Sequence, residues 1–169
     1  MQLKTALLAA AVAVAGLAIQ PSTAQAAGSV TADMNVKIQI QNACQITTAP
    51  SDLDFGTAGP LTSNVDQKTT FGITCTDNAP FNVGLNSGLN GGGDVTARKM
   101  DDGAGDFVSY QLYSDSTRST VWGNTINTDT VADTGTGNEV TYTVYGRVAP
   151  QTTPPAGAYQ DTVAVTVTY

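Results

Sequence analysis

Between Ser29 and Ile40 the chain alternates without a break. Val30, Ala32, Met34, Val36, Ile38 and Ile40 are apolar, while Ser29, Thr31, Asp33, Asn35, Lys37 and Gln39 are polar. A period of two belongs to an extended strand, so all six apolar side chains share one face. Burying such a face is worth on the order of 10 kcal/mol. Left open, a long apolar strand is an aggregation hazard that proteins normally blunt. The stripe therefore needs a partner.

The same period recurs downstream, and no window shows a sustained helical one. Phe71, Ile73 and Cys75 alternate, then Phe81, Val83 and Leu85, then Val108, Tyr110 and Leu112. Val140, Tyr142 and Val144 form a further run, and Val163, Val165, Val167 and Tyr169 form the last. A glycine-rich loop is expected over Gly88 to Asp94, a long polar loop over Asn124 to Asn138, and a break over Pro150 to Gly157. Short strands between Gly, Pro and Asn turns point to an all-β sandwich rather than an α/β fold. In so small a sandwich Trp122, Tyr110, Tyr113, Tyr142 and Tyr145 are expected as core and cross-strand pairs. Arg98 and Arg147 could hold a ligand's carboxylate, and surface ion pairs explain them as readily.

The first residues read as an export signal. Met1 to Lys4 is a short basic start, Ala6 to Ile19 is apolar and uncharged, and Ala24-Gln25-Ala26 supplies the small-x-small cleavage pattern. Cleavage is expected after Ala26 or Ala27, and no other segment is a candidate to cross a membrane. Without Lys4, six of the seven Lys and Arg remain against fourteen Asp and Glu, a net charge of −8. So acidic a chain lacks the basic footprint that binds nucleic acid or anionic lipid.

Two cysteines, Cys44 and Cys75, lie downstream of the signal. An even pair in an exported protein is most simply one disulfide. A two-thiol metal site would lack further ligands because the chain has no His, and there is no CxxC for redox chemistry. The bridge would stabilise the fold by about 3–4 kcal/mol on the chain-entropy estimate. Catalysis has little to stand on: a Ser or Cys nucleophile lacks its usual His base, and no spacing selects a carboxylate pair. Asp101-Asp102-Gly103-Ala104-Gly105-Asp106 lacks the alternate spacing and distal Glu of a calcium loop and is expected as a solvated turn. Gly91-Gly92-Gly93 lacks the Lys-Ser/Thr of a phosphate loop. No catalytic residue, metal or cofactor is expected.

From Cys44 onward the order of short motifs resembles the spore coat U domain family, which includes the pilins of archaic (Csu-type) chaperone–usher systems. The pieces are Cys44-Gln45-Ile46, Leu53-Asp54-Phe55-Gly56, Ile73-Thr74-Cys75-Thr76, Ala79-Pro80-Phe81-Asn82-Val83 and Arg98-Lys99-Met100. They continue with Val108 to Tyr113, Val121-Trp122-Gly123, Val144-Tyr145-Gly146-Arg147 and Gly157 to Val163.

The resemblance implies an immunoglobulin-like sandwich lacking its final strand, with a periplasmic chaperone and then the next subunit supplying that strand at an outer-membrane usher. Main-chain bonds give affinity in such strand addition, and alternate side chains fill pockets. On this reading residues 1–26 are a signal peptide, 27–41 the donor strand and 42–169 the pilin domain. The donor residues are Val30, Ala32, Met34, Val36, Ile38 and Ile40. The acceptor groove lies between the first and last strands, with Val163, Val165, Val167 and Tyr169 along it. The expected product is a homopolymeric, adhesive surface pilus used in attachment and biofilm formation. A secreted spore or cyst coat protein and a minor or adapter pilin are the alternatives. A tip adhesin is disfavoured, since only a donor-like segment precedes Cys44.

Overall fold

The computed structural model describes residues 27–169; the expected signal segment lies outside the described residues. Residues 27–38 belong to one unit and 39–169 to another. The first carries most of the alternating stripe. It forms no strand, and Val30, Met34, Val36 and Ile38 are 99%, 82%, 85% and 86% exposed. The apolar face of the stripe is thus exposed to solvent.

Residues 39–169 hold nine strands and, among the described residues, no helix. They are β1 (Cys44–Thr48), β2 (Val65–Cys75), β3 (Pro80–Leu85), β4 (Lys99–Asp101), β5 (Phe107–Ser109), β6 (Gln111–Tyr113), β7 (Val131–Thr134), β8 (Glu139–Val148) and β9 (Val165–Thr168). Every pairing is antiparallel. One sheet runs β1-β2-β8-β6, a second β7-β3-β9, and β4 pairs with β5. This is the antiparallel, all-β sandwich that the short alternating runs imply.

The core lies where the inward faces meet. Phe71 and Ile73 of β2, Tyr142, Val144 and Val148 of β8, and Phe81, Val83 and Leu85 of β3 are all buried. Phe71 sits opposite Tyr142 in the β2–β8 register, and the two rings stack 5.7 Å apart. Trp122 is buried against the same pair and donates its indole N–H to the Val83 carbonyl at 2.8 Å. Cross-strand aromatic contacts of this kind add to what area burial supplies. Tyr110 and Tyr142 belong to this core, whereas Tyr113 and Tyr145 are only half-buried.

Two expectations need correcting. The polar stretch Asn124 to Asn138 is not all loop, because Val131–Thr134 pairs along β3 as an edge strand. Arg98 is not a surface residue: it is 1% exposed. Its guanidinium donates to the carbonyls of Asn86 (2.9 Å), Leu85 (2.8 Å) and Trp122 (2.7 Å), and to Gln111 Oε1 (3.3 Å). Burial lowers its pKa from the usual guanidinium value. A buried cation needs its donors satisfied, and here backbone carbonyls do it. Arg147 follows the ion-pair reading, forking onto Asp66 at 2.7 and 2.8 Å. Arg147 and, less directly, Arg118 hold the Asp66 carboxyl below its ordinary pKa.

Candidate functional site

The first sheet ends in β1 and β6, and the second in β7 and β9. The chain that continues from β1 and the chain that leads into β9 border one cleft of about 780 Å3. Leu53, Phe55 and Leu61 line it from one side, Pro155 and Tyr159 from the other, with Met100 among its remaining walls.

The β1 side is built by residues far apart in sequence. In Leu53-Asp54-Phe55-Gly56 the Asp54 carboxylate accepts the Gly56 N–H at 2.7 Å, and Gly56 takes φ +74°, a left-handed conformation that suits glycine. This turn sets Leu53 and Phe55 against Gly146 of β8. A Cβ at 146 would lie 2.7 Å from a Leu53 methyl and 3.0 Å from the Phe55 ring. Two motifs ninety residues apart are thus halves of one contact (Leu53 to Gly146). Phe55 also lies 6.3 Å from the Tyr110 ring, which carries the contact into the core.

The β9 side is held by Asp161. Its carboxylate accepts the Tyr110 hydroxyl at 2.6 Å and the N–H groups of Leu89 and Thr162, each at 2.8 Å. Gly88 allows the approach, since a Cβ there would come within 1.9 Å of the carboxylate. Burial first, and the Asp161 carboxylate second, push the Tyr110 phenol well above its ordinary pKa. Asn86 then brackets Ala164, accepting its N–H at 2.9 Å and donating its own to the Ala164 carbonyl at 3.1 Å.

Past this anchorage Val163, Val165 and Val167 are half-buried against the core, and Tyr169 is exposed. Strand β9 pairs with β3 on one side only. These four alternate along β9 and its two flanks at one edge of the second sheet, while the cleft lies beside the segment that precedes them. The cleft walls Leu53, Phe55 and Met100 escaped the sequence reading as groove residues. Leu53 and Phe55 flank a single polar residue, too short a run for periodicity to register.

The cysteines are bonded as Cys44–Cys75, directly opposite one another in the β1–β2 register. The bridge fastens the edge strand β1 to β2, an interior strand of its sheet. In the acidic turn two of the three carboxylates accept from the turn's own backbone. Asp101 accepts the Gly103 N–H, and Asp102 accepts those of Ala104 and Asp106. Among the described residues no cluster of His, Cys, Asp or Glu could hold a metal ion.

Fold and site together define a class: an all-β, immunoglobulin-like antiparallel sandwich with an open apolar cleft at one edge. The chain belongs to the Spore Coat Protein U domain family, whose pattern it matches over residues 30–166, the alternating stripe included. It is 35% identical to Protein U of Myxococcus xanthus over 180 residues, covering 99% of this chain and 98% of that protein. Its fold is similar to that of a chain in the crystal structure of the CsuC–CsuE chaperone–tip adhesion subunit pre-assembly complex, from the archaic chaperone–usher Csu pili of Acinetobacter baumannii. The TM-score is 0.56 at 24% identity, over 77% of this chain, which spans 40% of the length of that one.

Proposed function

We propose that the protein is a structural subunit that polymerises by strand exchange into a surface pilus, without catalytic activity. The observation that carries this is the pairing of two deficits in one chain. The sandwich has an open apolar cleft and a free β9 edge, and Val30 to Ile40 form an exposed apolar stripe. At about 3.3 Å per residue the ten steps from Val30 to Ile40 span about 33 Å, a full strand's length. Laid beside β9 of another copy, the stripe satisfies that edge and turns its six apolar side chains inward. On this reading residues 27–41 are the donor and 42–169 the acceptor domain. The groove runs from Val163, Val165, Val167 and Tyr169 to the cleft of Leu53, Phe55 and Met100.

A chaperone partner fits the same edge, as the complex containing the Csu subunit suggests, and the usher and the periplasmic export route follow from that scheme. Residues 1–26 would be the export signal. Attachment and biofilm formation are the roles a fibre of such subunits would serve. A second reading, a secreted coat protein, is favoured by the likeness to Protein U along nearly the whole of both chains. The experiment is deletion of residues 28–40. The shortened subunit should still accept a donor peptide but should no longer form fibres. Fibres from the deleted chain would falsify strand donation, and wild-type polymer recovered from a coat rather than from sheared surface fibres would select the second reading.

A further inference from the structure

A donor joined directly to the domain it must not fill poses a kinetic problem. Only Gln41, Asn42 and Ala43 separate Ile40 from Cys44. Three residues suffice to turn a β-hairpin, and Asn tolerates the left-handed conformation such turns use. A donor that reversed there would lie along the free side of β1 in its own domain. Tethered through so short a linker, it would act at an effective concentration on the order of millimolar or above, against which a second copy competes poorly.

The structure places one residue against that reversal. Thr76, the first residue beyond β2, donates its N–H to the Ala43 carbonyl at 2.9 Å. Its hydroxyl accepts the Ala43 N–H at 3.2 Å and donates to the Gln41 carbonyl at 3.0 Å. These bonds extend the β1–β2 pairing one step past the Cys44–Cys75 bridge. They also fix the carbonyls of both residues that a turn at 41–43 would have to rotate. We infer that Thr76 is a positioning residue that holds the 41–43 junction in line with β1, and so directs the donor to another copy instead of its own domain. The inference rests on the strand-exchange reading above. Threonine supplies what the junction needs, because one hydroxyl can accept from Ala43 and donate to Gln41 at once. Valine has the same shape and can do neither.

The test refolds the full chain at micromolar concentration as wild type, Thr76→Val and Thr76→Ser. Polymer and monomer are separated by size, and each monomer is challenged with a synthetic peptide of residues 28–41. Wild type and Thr76→Ser should form polymer, and their residual monomer should take up peptide. Thr76→Val should shift at least tenfold toward a monomer that resists the peptide because its own donor fills the groove. Thermal unfolding of the peptide-filled, donor-deleted domain, expected to be alike for all three, checks that the valine variant folds. Thr76→Ala repeats the test with a smaller side chain. Thr76→Val and Thr76→Ala polymerising as wild type, with no peptide-resistant monomer, overturn the inference and leave strand exchange standing. Wild type that neither polymerises nor binds peptide overturns strand exchange, and the role of Thr76 with it.

Discussion

Arg98 gathers carbonyls from Leu85, Asn86 and Trp122, three points on two segments that sequence distance keeps apart. Replacing it with Met keeps the volume but orphans those acceptors in the core, and an unsatisfied buried group costs about 1–3 kcal/mol. Arg98→Met should therefore lower the stability of the domain by about 3 kcal/mol or more, read as a lower denaturation midpoint at unchanged slope. No pattern in the sequence distinguishes this arginine from a surface one, because its partners are backbone atoms assembled only by the fold. Tyr110 and Tyr142 behave differently, since their apolar neighbours two residues away mark them as inward-facing. Both phenols are pushed above their ordinary pKa, by burial first and then by the carboxylates of Asp161 and Asp133. A folded state that holds these protons more tightly than the unfolded one is fully favoured below the unfolded value of about 10. That contribution is lost as the pH rises beyond it. Tyrosinate absorbance should show these two ionising last, in step with alkaline unfolding, and Tyr110→Phe or Tyr142→Phe should each remove one late equivalent.

Among the elements, the strands that carry an alternating apolar face were legible, the short β9 included, and those without one were not. Strands β2, β3 and β8 carry their inward faces as plain period-two runs. Strand β7 reads Val-Ala-Asp-Thr, with little to tell it from loop, and exists because β3 offers it an edge. The cleft was the least legible feature, since it depends on Leu53 and Phe55 meeting Gly146 across the fold. Adding a methyl at that glycine forces the 53–56 turn outward, and overpacking of this order costs about 1–3 kcal/mol. Gly146→Ala should destabilise the domain by that amount. On the strand-exchange reading it should also weaken uptake of a donor peptide, measured by titration, more than a surface Gly→Ala substitution does. The stripe at Val30 to Ile40 shows the converse limit. Its face was readable from alternation alone, but its destination was not, because periodicity says that a face is buried and never by which chain.

For the whole molecule, the Cys44–Cys75 bridge has a mechanical meaning if subunits are joined end to end through their N-terminal segments. A fibre under tension would pull on each domain at the start of β1, whose own ladder to β2 is short and interrupted by an irregularity between Ile46 and Thr48. The covalent bond hands that load at its first residue to β2, which is zipped to β8 at ten consecutive positions from Val65 to Thr74. Force then enters the longest ladder of the domain in shear, without first peeling the edge strand away. Reduced fibres, or fibres of a Cys44→Ser, Cys75→Ser variant, should extend at distinctly lower force in single-molecule pulling than oxidised wild type. Equal rupture forces would leave the bridge only its ordinary share of folding stability. In a strand-exchanged fibre the weakest link would then be the seated donor itself, so that a stretched pilus would part between subunits before any one of them came undone.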